Sequence, residues 1–477
     1  MEVKLMKNNK NSASQALILR SETIPSTGKK VVHLTKMIRI AASATKTFTD
    51  CELHLDALLS CKGALILENC TLYYNESKSS GLIVLQEGAS LTLKNCEVIC
   101  RGYDENPFIT GQGANDFLFT GCTFKDCTYF LNVETMAHSF TLQDCQLYNC
   151  CNIFMRVFLD EEARGEISRC TVTSKELAPF NLHRVGSGIN TGTLFSIDSS
   201  GAWNVSDVQV DVSAAFQKQL TKHRLRLNYF DCGTAAFTNC TFAGADNCLE
   251  SVAGTIKNCR FKDCRQVIVT MSSGYDYEDD VSRPTLEDCT FEHCTEVLSL
   301  DARSLVTGCQ FLNCYDRLIV PENDPNSGDV EIEFCEFHNL SYLTPQEDPD
   351  FGSFTCNHCY EYYGSDACIN LQYNDDDYFS NQIKNCVFDG VQLGENLYLI
   401  QALGNADYTL LTEKLKRSKP VGTVAELENV IFKDCSTQDD SGKIIKTDLV
   451  YDTFLSSDVD NAAIYLKNCK GLPEENE

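Results

Sequence analysis

The chain has 477 residues and a net charge of −27, from 67 acidic against 40 basic residues. Such a surface repels phosphate backbones and argues against general nucleic-acid binding. Hydrophobic residues at 43% and charged residues at 22% describe a folded protein rather than a disordered one, and no apolar run approaches the ~18 residues of a membrane span.

In chain order, the opening stretch MEVKLMKNNKNSASQALILR is polar and lacks the apolar core of a secretory signal. A cytoplasmic, reduced setting is therefore the expectation. From Asp50 onward a short unit recurs: Asn, Asp or Gly, then Cys, then any residue, then an apolar one. It is centred on Cys51, Cys70, Cys96, Cys122, Cys145, Cys170, Cys240, Cys259, Cys289, Cys309, Cys335, Cys386 and Cys469, with Val208 and Val430 taking the cysteine slot in two further copies. Most steps between the fifteen units are 19–26 residues, the signature of a solenoid.

The chemistry of each slot says which solenoid. In thirteen of the fifteen units the residue before the cysteine is Asn, Asp or Gly, the types that tolerate a left-handed backbone, so this position is a tight bend. Period-two alternation lies on both sides, as in SLTLKNC with Leu91 and Leu93 before the bend and Cys96 and Val98 after it. Two short strands meeting at a corner follow from that pattern, and the steps leave little room for helices. Phe occupies the second apolar column in eight units, at 124, 242, 261, 291, 311, 337, 388 and 432.

Short strands at this interval wind into a parallel β-helix whose equivalent residues form columns. The sequence here resembles the pectate-lyase-like superfamily of right-handed parallel β-helix proteins, over roughly Asp50 to Lys470. The expected fold is thus all-β: a single-stranded right-handed parallel β-helix of about fifteen coils with loop insertions and an N-terminal cap. Residues 1–35 are expected to cover the first coil, 36–470 to form the β-helix, and 471–477 to be a polar tail. Longer steps at about 171–207, 336–385, 387–429 and 431–468 hold insertions or degenerate coils. Residues 214–227 read as a short basic amphipathic helix in one excursion.

Thirteen cysteines occupy the slot beside the corner, and six more (127, 150, 264, 294, 314, 435) lie five residues further on. Parallel stacking sets neighbours in a column near ~4.8 Å apart, beyond the ~3.8 Å between Cβ atoms that a disulfide prefers. Packed, reduced thiols are the expectation. Within the largest insertion, CNHCYEYYGSDAC offers Cys356, His358, Cys359 and Cys368 as Zn²⁺ ligands, against ordinary packing in a chain that uses cysteine as filler.

The resemblance also directs attention to the outer face, where enzymes of this type place carboxylates for Ca²⁺ binding or for acid–base catalysis. Candidate catalytic carboxylates are Asp276, Glu278, Asp279 and Asp280 in YDYEDD, and Asp375, Asp376 and Asp377 in YNDDDYF. The loop PENDPNSGD is oxygen-rich enough to hold Ca²⁺, but it lacks EF-hand spacing. From Leu318 to Ile383 there are fourteen acidic residues and no Lys or Arg, which leaves a lyase there without a basic residue. Tyr360, Tyr362, Tyr363, Tyr373 and Tyr378 are the candidate binding residues, for a glycan read by stacking or for a basic protein patch.

No cofactor is expected, with Ca²⁺ or Zn²⁺ as the alternatives. A non-catalytic scaffold or binding rod for a protein or glycan partner is the leading functional reading. A polysaccharide lyase or glycoside hydrolase is the runner-up, and end-to-end self-association is the third. Nearly all 27 cysteines are expected to react with a thiol reagent in denaturant without prior reduction. Ten or more found in disulfides would reverse the reduced, cytoplasmic assignment.

Overall fold

The structure is a computed structural model that describes residues 17–19, 22–24, 30–74, 82–101, 107–133, 136–150, 153–155, 157–174, 192–197, 202–213, 227–231, 235–244, 247–265, 267–270, 284–300, 304–321, 330–342, 367–372, 381–403, 425–439, 441–445, 449–452 and 464–472. Each turn of chain contributes three short strands. Coil 1 consists of Leu17–Leu19, Glu22–Ile24 and Lys30–Leu34. Each pairs in parallel with its counterpart in coil 2: Ile38–Ile40, Thr45–Thr49 and Cys51–Leu55. Repeating that step gives a sixteen-stranded first sheet, a sixteen-stranded second sheet and a fifteen-stranded third sheet. A four-stranded sheet, Ser341–Tyr342, Gln392–Leu393, Ser436–Gln438 and Ile444–Ile445, flanks the last coils.

The cysteine units are coils 2 to 16, so the array starts one coil earlier than the repeat indicates. Residues 17–34 supply strands to all three sheets, within the stretch expected to be a cap. They carry no cysteine unit, which is why the repeat passes over them. The interval 171–207 holds a regular coil as well, with Gly192–Ser196 and Ala202–Ser206 joining the first and second sheets. Leu227, expected to end a helix, instead opens strand Leu227–Asp231; residues 214–226 lie outside the described residues.

The bend between second and third sheets is a single residue in every coil from 2 to 16. All fifteen, from Asp50 to Asn468, have φ between 51° and 65°. Thirteen are Asn, Asp or Gly. Arg169 and Phe334 adopt the same conformation against a cost of ~1–2 kcal/mol for an ordinary L-residue. Arg169 is held by a two-pronged ion pair to Asp144, the corner one coil below, with Nε–Oδ1 at 2.7 Å and Nη2–Oδ2 at 3.0 Å. Phe334 is 60% exposed. Corner amides donate to the corner beneath: Asn95 to Asn69 at 3.4 Å, Asn239 to Asp207 at 3.3 Å and Asn429 to Asn385 at 3.1 Å. A second left-handed corner follows the third sheet at Asp126, Asn149, Asp263, His293, Asn313 and Asp434. It precedes the six cysteines found five residues after the first set.

Inside, seven phenylalanines from Phe242 to Phe432 stack face to face through consecutive coils. Their centroids are 4.4–5.4 Å apart and their planes within 18°. Phe124 stands outside this stack, because its column neighbours are Val98 and Leu147, and it packs edge-on against Phe119 and Phe154 instead. The thiol column runs beside the first corner. A typical thiol, Cys122, lies within hydrogen-bonding reach of two carbonyls, Thr120 in its own coil and Leu93 in the preceding one, both at 3.4 Å. All described cysteines are free thiols, and even the Cys51–Cys70 sulfurs are 3.5 Å apart, well beyond bonding distance.

Two substitutions separate the roles of ring and corner. Phe311→Ala is expected to destabilise by ~3–5 kcal/mol, because it empties the middle of the stack. Phe334→Asn is expected to stabilise by ~1 kcal/mol by relieving the left-handed strain. Denaturant unfolding monitored by circular dichroism checks both.

Candidate functional site

The connections are distributed unequally around the coil. In coils 2 to 16 the second sheet reaches the third through the one-residue corner. Every long segment borders the first sheet. Residues 271–284, 322–329, 373–380, 404–424 and 453–463 run from its strands to the second sheet, and 175–191, 214–226 and 343–366 lead into it from the preceding coil. The long connections therefore all begin or end at strands of the first sheet.

Most of the residues picked out in the sequence fall in these segments, outside the described residues. Asp276, Glu278, Asp279 and Asp280 lie between Ile268–Thr270 and Thr285–Glu287, in coil 11. Asp375, Asp376 and Asp377, with Tyr373 and Tyr378, lie in the matching connection of coil 14, three coils along. Tyr360, Tyr362, Tyr363, Cys356, His358 and Cys359 precede Ala367–Gln372 in the chain. Cys368 is described and is a buried core thiol, whose backbone carbonyl accepts from Leu318 N–H at 2.7 Å. Among the described residues no group of three or more His, Cys, Asp or Glu side chains converges to hold a metal ion.

Pleating alternates the side chains of the first sheet. Ile109, Leu131, Ile369 and Ile400 join the interior column. Their neighbours Thr110, Asn132, Asn370 and Gln401 take the outer positions, with Thr110 in register with Asn132 and Asn370 with Gln401. Thr110, Asn370 and Gln401 are nonetheless buried, Asn370 completely. Asn370 Nδ2 donates to the Ala367 carbonyl at 2.9 Å. Its Oδ1 is buried without a hydrogen-bond partner, as is that of Asn132. A buried amide oxygen left unpaired costs ~1–3 kcal/mol.

At the edge of the same sheet, coils 12 and 13 bring titratable groups together. Glu296 and Asp316 both sit in left-handed corners, at φ 45° and 64°. Asp316 N–H donates to the Ser341 carbonyl at 2.8 Å, and Glu296 N–H to that of Arg317 at 2.6 Å. Arg317 Nη2 pairs with Glu296 Oε1 at 2.7 Å, while the Tyr315 ring is partly exposed beside them. Desolvation raises the Asp316 carboxyl above its ordinary value, opposed by Arg317 and Arg265 and reinforced by Glu296. A carboxylic acid that keeps its proton longer than its neighbours can donate a hydrogen bond or a proton. Sequence reading missed this cluster because neither CTEV nor CYDR resembles a motif, and only coil stacking brings Glu296 to Arg317.

The family described as right handed beta helix region matches residues 57–215, 191–341 and 227–470, and the chain belongs to it. Among solved structures the chain is similar to the catalytic domain of a GH87 alpha-1,3-glucanase in complex with nigerose, at 9% identity and a TM-score of 0.28, covering 83% of this chain and 67% of that one. It is also similar to a PL6 family alginate lyase, AlyGC, at 9% identity and a TM-score of 0.33, covering 95% and 73%. A third is the periplasmic alginate epimerase AlgG, at 8% identity and a TM-score of 0.19, covering 89% and 78%. No curated protein matches the chain.

The raised Asp316 carboxyl has a signed consequence for stability. Its contribution is complete below the ordinary carboxylate pKa and is lost as pH rises through the higher folded value. Asp316→Asn keeps a residue suited to the left-handed corner and removes the charge. It is expected to raise the thermal midpoint at about pH 7 and to leave it nearly unchanged at about pH 3. Equal shifts at both pH values would exclude the charge as the cause.

Proposed function

We propose that the protein is a non-catalytic binding rod that presents the outer face of its first sheet to a protein or glycan partner. The observation that carries this reading is the restriction of every long connection to the borders of that one sheet. Rigid repeats that vary only their bordering segments are suited to recognition. Several charges described on the other faces are engaged between adjacent coils. Lys125 pairs with Glu97, Lys257 with Glu287, Lys433 with Asp389 and Lys467 with Glu428, at 2.5–2.9 Å. Arg260 and Lys262 share Glu292 and hold its carboxyl at about 2, so it is a poor proton donor at neutral pH.

Asp316 favours a second reading, a carbohydrate-active enzyme, because its environment suits a general acid. One experiment separates the two. The full chain is incubated with neutral and acidic polysaccharides, with and without Ca²⁺, while unsaturated products and new reducing ends are followed. The binding reading expects retention on immobilised glycans or capture of a protein partner, without turnover. Turnover that is lost in Asp316→Asn would replace it with the enzymatic one.

A further inference from the structure

The two ends of the rod differ from its sides, because there the interior columns stop. At one end the edge strands are those of coil 1: Leu17–Leu19, Glu22–Ile24 and Lys30–Leu34. At the other they are Val450–Asp452, Ile464–Lys467 and Ile431–Lys433, with Lys470 bridged to Ile431 beyond the third sheet. Val32 and Leu34 stand in register with Leu53 and Leu55, which are buried, yet they are only partly buried themselves. Leu466 stands in register with the fully buried Leu427 and is 43% exposed. Cys469, the last member of the thiol column, is likewise only partly covered. One coil further in, the same positions are sealed, so both ends leave core side chains bare.

We propose that these ends are interaction surfaces for each other: the C-terminal end of one copy docks on the N-terminal end of a second copy and extends the rod head to tail. The strands pair in parallel at both ends, so at the seam Val450–Asp452 meets Leu17–Leu19, and Ile464–Lys467 meets Glu22–Ile24, in matching direction. Edge strands offer rows of N–H and C=O groups that template such pairing. The same contact covers Val32, Leu34 and Leu466 and removes their apolar surface from water. Charge selects the partner. Residues 1–49, which include coil 1 and most of coil 2, hold nine basic residues against two acidic, whereas residues 425–477 hold twelve acidic against five basic. In a chain of net charge −27 the basic end is the exception, and it complements the acidic end of another copy. Two like ends would repel. A head-to-tail contact of this kind does not close on itself, so it builds an open filament. These surfaces are separate from the outer face of the first sheet.

The test is the mass of the full chain in solution, followed by sedimentation velocity over increasing protein concentration. The unsubstituted protein is expected to grow in mass with concentration, and to return toward the monomer when salt is raised from about 0.1 M to about 1 M, which shortens the screening length from ~10 Å to ~3 Å. Val32→Asp blocks the N-terminal end and Leu466→Asp the C-terminal end, each by placing a carboxylate in the apolar seam. Either variant alone is expected to stay monomeric. An equal mixture of the two is expected to form a dimer and nothing larger, because each variant keeps one intact end. Electron microscopy of the unsubstituted protein gives a reading that does not depend on how the variants fold: rods whose lengths are multiples of about 75 Å, from sixteen coils at ~4.8 Å each. A chain that stays monomeric at every concentration, as it would if its own terminal segments covered the ends, overturns the proposal. So do copies lying side by side, or a mixture of the variants that yields no dimer.

Discussion

The structure depends on one backbone conformation, repeated fifteen times: a left-handed residue between the second and third sheets. A one-residue bend of this kind turns the chain sharply while keeping the side-chain alternation in phase on either side. The residue after it therefore always points inward, and so does the one two further on. In-register coils then place like residues above like, from Cys51 to Cys469 and from Phe242 to Phe432. Asn and Asp suit the bend for a second reason. Their side chains link to the corner beneath, so the feature that turns one coil also ties it to the next.

The interior columns follow from that geometry. Next to the corner there is room for a small side chain flanked by two carbonyl oxygens. Cysteine fills it as a compact apolar group with a weak donor, and valine at 208 and 430 shows that the donor is dispensable. One position further inward the space accepts a full ring. Where consecutive coils all provide phenylalanine the rings stack face to face; where valine or leucine intervenes, as around Phe124, the aromatics meet edge-on. Desolvation by burial opposes ionisation of these thiols, and it pushes Cys61, a thiol of the first sheet, up to about 11. A column of neutral thiols avoids the repulsion that a column of thiolates would suffer.

The corner also explains where variation is tolerated. It admits no insertion without breaking phase, so added chain goes to the other two connections, and both border the first sheet. The result is a rod with a conserved geometry on two faces and a specialised third. On that face the buried outer amides and the Asp316 corner collect polar groups that do not contribute to the repeat. On the other faces, charges are spent on pairs between neighbouring coils. Individually such exposed pairs contribute little.

Much of the fold was legible in the amino-acid order because it is a local property repeated many times. Asn258-Cys259-Arg260-Phe261 states its bend, its thiol and its ring within four residues, and that statement recurs. Coil 1 was not legible, since Leu17–Leu34 pairs its backbone into the sheets without the cysteine unit. The second corner was only half visible, as a cysteine column without its bend. The polar cluster at Glu296, Asp316 and Arg317 could not be read at all. Its members lie about twenty residues apart, and only the register of stacked coils makes them neighbours. The order of residues determined the corner, the columns and the winding, because those depend on side chains next to one another in the chain. The tertiary structure alone decided which side chains meet across coils, because that depends on the length of each turn.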